Sequence, residues 1–336
     1  MKKIKSLLTF VMVSVFGSSA FAQSSMLATL SHDGEITTFY GAAALKEAYA
    51  AAANGDVITL SSGSFNAVNL GKGITIRGAG MAIDNSAQTE PTVINGDFDI
   101  NIPDETTERL TLEGLYSNHT VTIRGNFRNG TFLKDRFNGI TCPNDDNTIT
   151  NLTMIHCKVA DGIHIPANSS VSCVNCMING VNVYSSESSN YEFLNCVVHT
   201  YAFQDYYVGA SSFKNCVLYQ TDNGVSIAKS AVVYNCVGIG SSNLFKNIPN
   251  TTNTIKEASE VFKTYTGTYN DNETFELTDN AKTAFLGIDG TEIGIYGGNM
   301  PFSSTPTNPQ ITKCNVAAKS TADGKLSVDI TVNGAE

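Results

Sequence analysis

The chain has 336 residues, with 21 basic and 31 acidic side chains and a net charge of −10. An acidic balance argues against nucleic acid as a partner, because that binding is driven by Lys and Arg neutralising phosphates. Only 15% of residues are charged and Trp is absent, while Gly, Ser, Thr and Asn are plentiful. This composition belongs to a turn-rich β chain rather than to a helical one.

In chain order, the first feature is a leader. Lys2, Lys3 and Lys5 precede an apolar run from Leu7 to Phe16, and Ala20-Phe21-Ala22 supplies the small residues that a signal peptidase reads. Residues 1–22 are therefore expected to be a signal peptide, with the mature chain starting at Gln23 and exported to the periplasm, cell surface or medium. The apolar run is too short to span a bilayer, and no transmembrane segment is expected. Removing the leader takes three Lys and no acid, so the net charge falls from −10 to −13. Such a charge disfavours polyuronates unless Ca²⁺ or a local basic strip assists. All five Arg (Arg77, Arg109, Arg124, Arg128 and Arg136) lie in the N-terminal half, which is where such a strip is expected.

Residues Ala44 to Ala53 read as a short Ala-rich helix stopped by Asn54-Gly55. The strand Val57 to Leu60 follows at once, the order expected of a helix plugging the end of a solenoid.

The body is repetitive. Cys157, Cys176, Cys196, Cys216 and Cys236 recur at intervals of 19, 20, 20 and 20 residues. Asn175, Asn195, Asn215 and Asn235 precede the last four, and His156 precedes the first. Before each Asn, apolar residues alternate with a period of two, as in Val171 and Cys173 or Tyr191 and Phe193. At the Asn the phase slips by one, which a single left-handed residue at a corner achieves, and Asn tolerates that geometry best after Gly. Short arms follow at Ile163 and Ile165, Val181 and Val183, and Val225 and Ile227. Three strands per coil of about 20 residues make a right-handed parallel β-helix. Inward Asn amides are expected to hydrogen-bond up their column, and inward Cys to act as a small hydrophobe. A leucine-rich repeat shares the period but needs several Leu per unit, where these units hold Val, Phe, Cys and Ile.

Beyond Gly298, residues 299–309 read as a linker rich in Pro, Ser and Thr. In 310–336, Leu326, Val328, Ile330 and Val332 alternate after Asp323-Gly324, a hairpin signal. So short a segment needs to pack back on the solenoid or form the edge of an appended module.

The run from Ala44 through Asn54-Gly55-Asp56, Ser61-Ser62-Gly63-Ser64-Phe65 and Gly73-Ile74-Thr75-Ile76-Arg77-Gly78 resembles the cap and first coil of the pectate-lyase-like β-helix superfamily. Asp289-Gly290-Thr291-Glu292-Ile293-Gly294-Ile295-Tyr296-Gly297-Gly298 resembles the closing stretch of secreted β-helix proteins from Bacteroidetes. The resemblance spans residues 42–298 and implies a site on the outer face of the first sheet of each coil. It implies no one activity, because the superfamily holds lyases, hydrolases, esterases and proteins of unassigned role.

Taking the arms at Ile163, Val181 and Val225 as that sheet, the outward row reads Thr122, Thr141, His164, Asn182, Ala202 and Ser226. The row is neutral, and neither the clustered carboxylates of a pectate lyase nor the complete motifs of a polygalacturonase are present. Asp161-Gly162 occupies the slot of Asn138-Gly139, Asn179-Gly180 and Asn223-Gly224, so Asp161 reads as a turn residue with left-handed tolerance. His164 and Asp205 are the catalytic candidates. The ligand-binding candidates are Asn182, Tyr184, Gln204, Tyr206 and Tyr207, since Tyr faces with amides suit sugars. Asp145 and Asp146 could hold Ca²⁺ or form a solvated turn, and no metal or other cofactor is otherwise expected. Cys173-x-x-Cys176 reads as buried packing rather than a metal site. The leading expectation is thus an exported protein that binds or processes polysaccharide. The alternatives are a non-catalytic envelope or adhesive scaffold and a Ca²⁺-dependent lyase with an atypical site.

Overall fold

The computed structural model describes residues 26–82, 90–183, 189–199, 211–220, 222–248, 252–264, 270, 273–317 and 319–333. Its body is a parallel β-solenoid of about 9 turns, each of roughly 20 residues. Two sheets build it, one of 11 strands and one of 13.

Inward columns follow from the period-two alternation. Met154, Cys173, Phe193, Phe213 and Val233 sit in register on successive strands of the first sheet and are all buried. Phe193 and Phe213 stack with ring centroids 4.8 Å apart. Such columns merge into one continuous apolar core along the solenoid.

In the Asn-Cys coils the corner after the first-sheet strand is left-handed as expected, with φ of 50° at Asn175, 51° at Asn195, 54° at Asn215 and 50° at Asn235. His156 (55°) and Lys134 (56°) hold the same slot in earlier coils. The residue that follows points inward. The backbone N–H groups of Cys157, Cys176 and Cys196 each meet the Sγ of the next Cys at 3.4 Å. Asp135 occupies this column one coil earlier and makes the equivalent contact, its Oδ1 accepting from Leu115 N at 2.8 Å.

The three arms per coil resolve into two sheets. The strands Arg136–Thr141 and Lys158–Ile165 run through the second corner without a break and absorb it as a register shift. Gly162, with φ of 119°, takes the positive angle there, and Asp161 does not. Asp161 is therefore an exposed residue inside a strand and not the left-handed turn residue expected of it. A glycine is required because a Cβ at this position meets the backbone oxygen of Gly180 at 2.9 Å. The arm at Val225 and Ile227 buries both side chains but is not a strand.

The N-terminal end is closed by a hairpin and a helix. Strands Leu27–His32 and Glu35–Tyr40 pair antiparallel and extend the first sheet, with Asp33 (49°) and Gly34 (85°) in their turn. The helix Ala44–Ala51 buries Ala44, Leu45 and Ala48. Lys72 Nζ donates to the carbonyls of Tyr49 and Ala52 at its C-terminus, satisfying groups the helix leaves open.

At the other end the chain leaves the coils after Thr254–Lys256 and folds back over the second sheet through the helices Ala258–Val261 and Asp279–Ala284. These cover an outward apolar column of Met177, Val197, Val217 and Val237 and form a second small core with Val261, Phe262, Leu277, Ile293 and Ile295. The chain then runs back along the corner column to the first coils. Residues 310–333 finish as an isolated two-stranded hairpin. Leu326, Val328, Ile330 and Val332 in it stay about half exposed, so these four side chains are not buried against the solenoid.

Candidate functional site

Four members of the expected outward row are in register. Thr122 pairs with Thr141, Thr141 with His164 and His164 with Asn182 across four neighbouring strands of the second sheet. Each of the four is half-buried, while its chain neighbours Val121, Ile140, Ile163 and Val181 point into the core. The sheet thus presents two hydroxyls, an imidazole and an amide at one strand's spacing, about 4.8 Å.

The row extends one coil further than the sequence reading placed it. Asp99 pairs with Thr122 and carries an ion pair, its Oδ2 accepting from Arg124 Nε at 2.7 Å. Its Oδ1 is buried without a hydrogen-bond partner, as is Asn182 Oδ1. Beside it Asp97 meets His119 Nδ1 at 3.3 Å. Asp99 escaped notice because strand Phe98–Ile100 is three residues long and stands before the Asn-Cys repeat that fixed the register. A phase carried back from Thr122 by one coil was the available signal.

His164 and Asp99 are three strands apart, about 14 Å at the usual spacing. Paired carboxyl groups of glycosidases stand roughly 5 to 9.5 Å apart across the bond they cleave. His164 and Asp99 are therefore too far apart to act together on one glycosidic linkage. Asp205, Tyr184, Gln204, Tyr206, Tyr207 and Ala202 lie outside the described residues, and Ser226 lies beyond the strands, accepting from Asn247 Nδ2 at 2.9 Å.

Asp145 and Asp146 are exposed in a tight turn capped by Asn144, whose Oδ1 accepts from Asp146 N at 3.1 Å. Among the described residues no three His, Cys, Asp or Glu side chains converge as metal ligands. Cys157, Cys173, Cys196 and Cys236 are fully buried, and burial pushes their thiols well above the usual range. They are inert packing groups. The basic strip sought near the Arg residues is short: Arg136 and Lys158 are in register, with Arg136 lying 4.9 Å over the Tyr116 ring and bonded to Ser117 O.

The Asn amides of the corner column do not bond to one another. Asn175 Nδ2 donates to the carbonyls of Ile295 and Gly297 at 2.7 and 2.8 Å, and Asn215 Oδ1 accepts from Ile288 N at 3.2 Å. An amide-to-amide contact does occur, but on the outside, from Asn151 to Asn129 at 3.3 Å.

No family model matches the chain, and no curated protein or solved structure matches it either.

Proposed function

We propose that this protein is exported and binds an extended, uncharged polysaccharide along the row Asp99, Thr122, Thr141, His164 and Asn182. One observation carries the reading: hydrogen-bonding side chains repeat at strand spacing on a regular surface. A sugar chain lying across the strands repeats its hydroxyls at a comparable step, so one row of side chains can satisfy several units. The resemblance to pectate-lyase-like β-helix proteins and the leader at residues 1–22 support the same reading. The charge of −13 after leader removal favours a neutral glycan over a polyuronate.

Binding is proposed ahead of cleavage because of the separation between His164 and Asp99. Affinity electrophoresis through gels containing neutral and acidic polysaccharides tests it. Retardation by a neutral glycan is expected, and the His164→Ala, Asn182→Ala double variant weakens it by about tenfold, two hydrogen bonds at about 1 kcal/mol each less some loss of additivity. Unretarded migration across the whole panel overturns the proposal. Release of reducing ends or unsaturated uronides, with or without Ca²⁺, overturns its non-catalytic form.

A second reading, a non-catalytic envelope or adhesive scaffold, is favoured by the half-exposed Leu326, Val328, Ile330 and Val332 of the C-terminal hairpin. It predicts sedimentation with the cell envelope that survives the His164 and Asn182 substitutions.

A further inference from the structure

Residues 287–308 form a strap that descends the solenoid along the left-handed corner slots. It meets Asn215 through Ile288 N, Asn175 through the carbonyls of Ile295 and Gly297, and His156 through Met300 O. Further down, Lys134 Nζ donates to Thr305 O at 2.6 Å, Glu113 accepts from Thr307 N at 2.9 Å, and Asn308 Nδ2 donates to Gly78 O at 3.1 Å. The strap thus holds the C-terminal hairpin at the N-terminal coils.

One rung differs in kind from the Asn rungs. His156 is 6% exposed, and its Nε2 meets Met300 O at 2.9 Å. A carbonyl can only accept, so Nε2 carries the hydrogen and Nδ1 is the bare nitrogen. Nδ1 is buried and has no hydrogen-bond partner. A second proton on this ring would create a buried cation with a new donor and nothing to receive it, which is costly.

Lys134 in the preceding coil opposes protonation, whereas the Met300 carbonyl and Cys176 in the following coil favour it; burial of the ring outweighs both. The strap contributes the Phe302 ring, 5.8 Å from the imidazole, and Lys158 Nζ lies 5.8 Å from the same ring. Asp135, the carboxyl beside Lys134, is itself fully buried and is pushed well above the usual carboxylate range, so it offers little negative charge.

We propose that His156 is a proton-controlled latch, whose protonation releases residues 298–303 from the corner column. Burial already holds the imidazole below 6.5, its ordinary value. Because the docked state prefers the neutral ring, docking is complete above about pH 6.5 and weakens as the pH falls below it. This inference is independent of the proposed glycan row, which lies on another face.

Hydrogen exchange of the full chain, corrected for intrinsic rates, at about pH 7.5 and about pH 5 tests the latch. Amides of 298–305 are expected to exchange at least about tenfold faster at the lower pH, while strands Asn190–Leu194 and Ser211–Lys214 keep their protection. In His156→Asn, which puts the residue of the next three coils into the slot, the acid response disappears. Equal corrected rates in the wild type, or an acid response that persists in His156→Asn, overturns the latch. An NMR titration of His156 in the unmodified protein gives a check that needs no variant: a midpoint at or above 6.5 also overturns it.

Discussion

At the corner slot, backbone geometry selects the residue type. A β-carbon at positive φ costs about 1 to 2 kcal/mol, and Asn reduces that cost through its short polar side chain. Its amide is then left aiming away from the coil, free to bind something that is not the coil. The inward slot beside it is less forgiving. Asp135 fills the position that Cys holds in the later coils, and burial raises its carboxyl well above the usual range. A raised carboxyl favours folding at low pH, and that contribution is lost as the pH climbs above the unfolded value of about 3.9. Asp135→Asn keeps the acceptor for Leu115 N and removes the titration. It should therefore raise the urea midpoint near pH 8 and leave it nearly unchanged near pH 3, as unfolding curves at the two values will show.

Among the elements, the strap was the least visible beforehand. Residues 299–309, expected as a linker, are pinned to Lys134, Glu113 and Gly78. Asn175→Gly isolates one rung, because Gly accepts the left-handed backbone and only the amide is lost. Two hydrogen bonds disappear, loosening the strap by roughly 1 to 3 kcal/mol. Exchange of amides 295–300 should rise while that of strand Ser170–Val174 holds; a uniform rise across both would assign the amide to global stability instead. The hairpin at 27–40 was legible in principle. Asp33-Gly34 sits between alternating apolar residues, a two-residue turn signal, with the positive φ angles such a turn needs.

For the whole molecule, the two C-terminal parts should separate cleanly. Deleting residues 310–336 removes a hairpin in which Leu326, Val328, Ile330 and Val332 stay half exposed, and the thermal midpoint should not move. Deleting 299–336 also takes Thr307 from Glu113, which is 2% exposed and otherwise paired with Arg77 at 3.2 Å. A buried carboxylate stripped of a donor costs about 1 to 3 kcal/mol, so this truncation should melt several degrees lower. Equal midpoints for the two truncations would show that the strap adds nothing to the solenoid.

The residues along the chain determined the coil itself. Period-two alternation, a one-residue slip at Asn and a 20-residue spacing admit few stacks, and the in-register row from Thr122 to Asn182 follows from the same arithmetic. These are local rules, each set by neighbours within one coil or the next. Tertiary structure alone decided what lies against the coils: the apolar cover on Met177, Val197, Val217 and Val237, and the strap on the corner amides. An amide at a corner reads the same in sequence whether it meets its neighbour, water or a segment from 120 residues away. Its partner depends on where a distant segment lands, and no short-range pattern encodes that.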